Sequence, residues 1–135
     1  MSESQNIAAG AADAIARLPR YDFEIKEDTD TPGTILETDP KKVTLRRLTY
    51  MEEKSALQAK DNGGHSYEYE GAMRALDEVD GRKITWEADD KVRTWESFSP
   101  VVRDLLAGGF MKYCLPTKRQ RDDFFASVKV RLPGA

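Results

Sequence analysis

Ser99-Pro100 opens the stretch that most constrains this chain. A serine at the cap and a proline at the first helical position start a helix. Val101, Val102, Leu105, Leu106, Phe110, Met111 and Tyr113 make it the most apolar helix in the sequence, and Leu115-Pro116-Thr117 ends it. Only 39% of the 135 residues are hydrophobic, against 33% charged, so the core is modest and this helix supplies much of it. Gly108-Gly109 lies inside the helix. A glycine pair there costs about 1–2 kcal/mol relative to alanine. The sequence therefore predicts a close approach of another backbone at the pair, or a kink.

The other elements are shorter. Ile7, Ala8, Ala11, Ala12, Ile15 and Leu18 recur at helical spacing before Pro19. Tyr21, Phe23 and Ile25 alternate with Asp22, Glu24 and Lys26, the period of a half-buried strand. A polar run from Glu27 to Thr34 follows, so residues 1–40 read as an acidic arm or linker. The regular domain is placed at residues 41–132, with 133–135 as a tail. It opens with a strand over Val43–Leu48. Thr49 and Glu52 form a capping box, and Asn62-Gly63-Gly64 closes that helix. A second helix runs from Ser66 through Tyr69, Ala72, Met73, Leu76 and Val79 to Asp80-Gly81. Residues 82–86 read as a strand and residues 94–98 as a helical turn. Thr117 and Gln120 cap a last helix carrying Phe124 and Phe125. Val128 to Leu132 is strand-like.

The fold class is α+β and mainly helical, with three to five helices and a small two- or three-stranded sheet behind an acidic N-terminal arm. The expected core is Leu45, Leu57, Met73, Leu76, Trp95, Phe98, Val102, Leu105, Leu106 and Phe124. Deleting residues 1–40 should then spare folding of the domain.

Charge is uneven. Residues 1–40 hold nine acids and three bases, whereas residues 101–135 hold seven bases and three acids. Opposite ends then attract each other, or each docks on a different surface. The bases Lys118, Arg119, Arg121, Lys129 and Arg131 could meet nucleic acid, but a pI near 5.3 argues against it. No apolar run reaches the roughly 18 residues of a membrane span. Met1 to Gln5 has neither the basic nor the apolar region of a secretory leader. A cytosolic protein is expected.

Catalytic patterns are missing from the sequence. It contains no phosphate-binding loop, dinucleotide motif, nucleophile elbow or His-Glu-x-x-His motif. The single histidine, His65, follows a helix-ending glycine pair and has no orienting acid in sequence. The single cysteine, Cys114, reads as a small buried hydrophobe. Together they make neither a disulfide nor a zinc site. The acids Asp77, Glu78 and Asp80, and Glu87, Asp89 and Asp90, do not follow a calcium-loop pattern and read as solvated ends of elements. No enzyme, cofactor or metal is expected.

The segment from Val43 to Leu132 resembles the small tail-assembly chaperones of tailed bacteriophages. The likeness rests on Val43-Thr44-Leu45-Arg46-Arg47-Leu48-Thr49, the acidic turn Glu78-Val79-Asp80-Gly81, the run from Phe98-Ser99-Pro100 to Leu106, and Pro116-Thr117 through Phe124-Phe125 to Val128. It is also similar to the small baseplate-hub proteins of contractile-tailed phages. The resemblance implies a non-enzymatic role in building a phage tail. As a chaperone it would bind the tape-measure protein or tube and baseplate subunits in the host cytoplasm. As a structural subunit it would stay in the tail or baseplate of the virion. Expected partners are these proteins and a second copy of the chain, with no nucleic acid and no membrane. Ile7, Ile15, Leu18, Tyr21, Phe23, Phe110 and Phe125 are the residues expected to meet a partner.

Overall fold

A computed structural model describes residues 15–28, 30, 33–85 and 88–133. The order of elements is β1 (Arg20–Glu24), β2 (Lys42–Arg46), α1 (Tyr50–Asp61), α2 (Tyr67–Ala75), β3 (Leu76–Val79), β4 (Arg82–Lys83), α3 (Ala88–Glu96), α4 (Pro100–Tyr113) and α5 (Lys118–Ala126). The class is α+β and helix-rich, as the sequence predicts. The sheet has four antiparallel strands in the order β1-β2-β3-β4, rather than two or three. Of the helix expected before Pro19, only Ile15 and Ala16 are described as helical; Ile7 and the rest lie outside the described residues.

β2 is central because the alternating pattern beside it supplies a partner on each side. Tyr21 pairs with Leu45 and Phe23 with Val43. The aromatic residues of β1 therefore share a face with the two most buried residues of β2. Ile25 extends the pairing by donating its N–H to the Lys41 carbonyl at 2.8 Å. The strand thus belongs to the sheet, and the boundary expected near residue 40 is not a structural one. Asp39 tightens this further. It is buried and accepts the Ser99 N–H at 2.8 Å and the Ser99 hydroxyl at 2.7 Å. Ser99 occupies the cap position of α4 but makes no side-chain cap bond of its own. Its hydroxyl and N–H are instead taken up by the carboxylate of Asp39, 60 residues away.

β3 replaces the last turn expected of the second helix. Leu76 leaves helical geometry with φ −56° and ψ 123°, and Leu76–Val79 joins β2. Asp80 and Gly81 follow, with φ of 50° and 82°. Two positive φ values in a two-residue loop make the tight hairpin that sets Val79 opposite Arg82. The following strand is only Arg82–Lys83; Trp86 lies outside the described residues.

The core joins Val43 and Leu45 to Ala72, Ala75 and Leu76, and to Val102, Leu106 and Phe110 of α4. Trp95, Phe98, Ile25, Ile84 and Cys114 close its margins. The stripe on α4 is Val102, Leu106, Phe110 at steps of four. Gly71 gives the Phe110 ring its socket, since a methyl group there would overlap the ring. At Gly109 the close neighbour is the Phe23 ring rather than a backbone; an added Cβ would stand 2.8 Å from it. Nothing lies near Gly108.

Three residues expected in the core lie outside it. Leu57, Leu105 and Phe124 are exposed, at 42%, 53% and 71%. Leu105 is one residue out of phase with the buried stripe. We expect Leu106→Ala to destabilise by about 2–5 kcal/mol. Leu105→Ala should stay within about 0.5 kcal/mol. Denaturant midpoints of the two variants test this; equal losses would misplace the helix face.

Candidate functional site

The polar face of the sheet holds a buried ionic cluster. Alternation along β2 turns Thr44 and Arg46 away from the apolar core, and Arg46 is 2% exposed. Its guanidinium meets Glu52 as a two-bond fork, Nη1 to Oε1 at 2.7 Å and Nη2 to Oε2 at 2.8 Å. Asp77 lies 3.8 Å from Arg46 Nε and accepts from Arg20 Nε at 2.8 Å. Lys91, also buried, reaches Glu52 Oε2 at 3.3 Å and donates to the Arg74 carbonyl. Three cations thus surround two carboxylates. Asp77 was expected among solvated acids; its place on β3, between Arg20 and Arg46, buries it instead.

These surroundings set the protonation states. Burial by itself would raise the Glu52 carboxyl. The Arg46 and Thr49 hydrogen bonds and the charges of Lys91 and Arg46 outweigh it and hold Glu52 at about 2. Burial, with the Arg46 charge, lowers Lys91 to about 8 against the pull of Glu52 and Asp77. Lys91 is the surplus cation. Between about 8 and its unperturbed 10.5 this side chain holds more protons in the unfolded chain, so its contribution to stability rises with pH. We expect Lys91 to contribute a gain of roughly 1–2 kcal/mol from pH 8 to 9.5, read as the difference between the profiles of the wild type and Lys91→Met, because the raised Cys114 thiol lowers stability across the same window. Urea titrations of both proteins across that window test it; equal slopes in the two would contradict it.

A cleft of about 250 Å³ beside the cluster is lined by Met51, Glu52, Ser55, Met73, Arg74, Lys91 and Val92. Its ionised groups are all paired: Glu52 with Lys91 and with Arg46 behind it, and Arg74 with Glu70 at 2.8 Å. This pairing braces β2 against α1 and α3.

Cys114 ends α4 in the core, and burial pushes its thiol up to about 11, although the Arg47 charge opposes this. A thiol of that kind is a poor nucleophile. His65 is exposed, with its ring 5.9 Å from that of Tyr69. Among the described residues no group of three or more histidine, cysteine or acidic side chains is placed to hold a metal ion. Among them, too, no helix is long and apolar enough to cross a membrane.

The surface is more distinctive at the C-terminus. α5 has both halves of its capping box, with Gln120 N–H to Thr117 Oγ1 at 3.1 Å and Thr117 N–H to Gln120 Oε1 at 2.8 Å. Yet it buries no residue. Phe124 and Phe125 are 71% and 64% exposed, and their rings meet edge to face at 5.7 Å. Phe124 borders a groove of about 320 Å³ with Arg47, Pro116, Gln120 and Arg121. Beyond it Val128, Val130 and Leu132 are exposed as well. Such a helix of nine residues is below the length that persists alone in water.

The residues expected to meet a partner fall in different places. Phe125 is on this exposed helix. Tyr21 and Phe23 are half-buried on the sheet's edge strand, their rings 5.9 and 5.8 Å from that of Tyr113. Ile15 lines a separate cleft with Arg20, Arg46 and Lys83, and Leu18 is partly buried near it in sequence. Phe110 is fully buried and unavailable to a partner, because it completes the inward stripe of α4. Ile7 lies outside the described residues. The sequence reading missed Arg46, Glu52, Asp77 and Lys91 as a group. They come from four elements, and no local spacing links them.

Comparison of the chain with protein-family models, with curated proteins and with solved structures finds no match in any of the three.

Proposed function

We propose that this chain is a non-enzymatic docking protein that acts in phage tail assembly and holds another tail protein through α5. The observation that carries the docking role is a doubly capped helix whose apolar side chains have no covering surface among the described residues. Two adjacent phenylalanines more than 60% exposed are what a partner's apolar face would cover. Residues 117–132 hold five bases and two acids, and Arg47 lines the same groove. The partner segment that fits is an amphipathic helix with an acidic flank. The tail-assembly role rests on the sequence resemblance over residues 43–132. In that role the protein shields a tape-measure, tube or baseplate subunit in the host cytoplasm until the tail polymerises.

The test is quantitative mass spectrometry of purified particles beside the lysate that produced them. Protein present in the lysate and missing from particles is the expected chaperone result. Abundant protein in intact particles would replace it with a tail or baseplate subunit that uses the same surface. Tails of normal yield and length from a phage lacking the gene would overturn the assembly role.

A further inference from the structure

We propose that the C-terminal segment Val128–Leu132 of one copy pairs as a fifth strand with the open edge of β1 in a second copy. The sheet has two edges. β4 offers only two residues, too few to template a strand. β1 offers five, and among the described residues only β2 pairs with it. Ile25 N–H donates to Lys41 O and Arg47 N–H donates to Pro19 O, so the odd-numbered residues of β1 bond to β2. In an antiparallel ladder the alternate residues then turn their N–H and C=O groups outward. Those of Arg20, Asp22 and Glu24 face the free edge, which is a ready template for another chain.

The tail matches this edge residue for residue. β1 and the residue after it read Tyr21, Asp22, Phe23, Glu24, Ile25, which is aromatic or aliphatic alternating with acidic. The tail reads Val128, Lys129, Val130, Arg131, Leu132, which is aliphatic alternating with basic. In antiparallel register, the orientation of every other pair in the sheet, Arg131 stands opposite Asp22 and Lys129 opposite Glu24. Val128, Val130 and Leu132 then lie on the face of Tyr21 and Phe23, beside the exposed Tyr113 of α4. The two acids have side chains 62% and 67% exposed; within their own copy Asp22 accepts the Thr44 hydroxyl at 2.6 Å and Glu24 meets the exposed Lys26 at 2.9 Å, pairs that leave carboxylate lone pairs facing solvent. The three aliphatic residues of the tail are 69–80% exposed, so the segment is unused within its own copy. Opposite charges across a strand pair favour one register and oppose the others. The inference stands apart from the tail-assembly reading, since it concerns only copies of this chain.

The test is the mass of the full chain in solution, by light scattering and sedimentation, from micromolar to millimolar concentration. The wild type is expected to form oligomers that weaken with added salt. Asp22→Lys with Glu24→Lys, and separately Lys129→Glu with Arg131→Glu, should each weaken association about 10- to 100-fold. Mixing the two variants, or combining all four substitutions in one chain, should restore it. Circular dichroism and melting temperature confirm that each variant is folded. A wild type monomeric throughout would overturn the proposal. So would an oligomer indifferent to the reversals, or a reversal defect that the charge swap does not rescue. A monomeric wild type would leave this edge to another protein rather than a second copy.

Discussion

Replacing Arg46 by methionine is expected to lower stability by roughly 3–5 kcal/mol. The guanidinium is the centre of the cluster: it forks onto Glu52 and stands beside Asp77, with 2% of its surface exposed. Methionine fills similar space but leaves Glu52 buried with fewer donors. The carboxyl held at about 2 by those donors would rise. In the wild type, the Glu52 contribution is complete above its unperturbed 4.5 and lost as pH falls towards 2. In Arg46→Met that acid limb should move to higher pH. Glu52→Met alone should also destabilise, because it strands Arg46. The double variant should recover about 2 kcal/mol of the summed losses, since neither member of the fork is left facing a missing partner, while Lys91 and Asp77 each lose one neighbour in it. Urea unfolding of the four proteins closes this cycle. Simple additivity would mean that the pair is not coupled.

A chain that begins at Lys41 is expected to lose its cooperative unfolding transition. The missing segment contains β1, Ile25 and Asp39. Covering Tyr21, Phe23 and Ile25 stabilises by about 1.5–3 kcal/mol for each side chain fully buried. Removing Asp39 leaves the N–H and hydroxyl of the buried Ser99 without their acceptor, at about 1–3 kcal/mol. With Tyr21 and Phe23 half-buried and Ile25 buried, together these come to about 4–9 kcal/mol, comparable with the whole stability of a small domain. Melting of the truncated chain, followed by near-ultraviolet circular dichroism, tests this. A sharp transition at the wild-type midpoint would restore the independent domain that the sequence suggests.

These two cases show what sequence patterns carry and what they omit. Local signals were legible: the Thr49 and Thr117 capping boxes, the Ser99-Pro100 start and the alternation of Tyr21, Phe23 and Ile25 all correspond to observed elements. Asp80-Gly81 reads equally as a helix end and as a hairpin turn; the fold uses it as a hairpin, which makes Leu76–Val79 a strand rather than the last turn of a helix. Leu76 and Val79 fit both periods, and pairing with β2 decides for the strand. The composition of residues 1–40 suggested a linker. Asp39 and β1 answer to Ser99 and β2, and no local window contains those partners. Helix phase could not be fixed from α4 alone, because Leu105 and Leu106 are both apolar. Only the packing of Val102 and Phe110 against the sheet and α2 separates them. The exposed phenylalanines of α5 carry the same ambiguity: sequence assigns Phe124 to a core, and the fold leaves it outside.

The central claim is that α5 serves docking and not folding. The most direct measurement is the yield of tailed particles in cells where the only copy of the protein carries Phe124→Ala and Phe125→Ala. Both side chains are exposed, so the variant should melt within about 2 °C of the wild type. A folded protein and a loss of tails are expected. Normal tail yield from that variant would contradict the docking role.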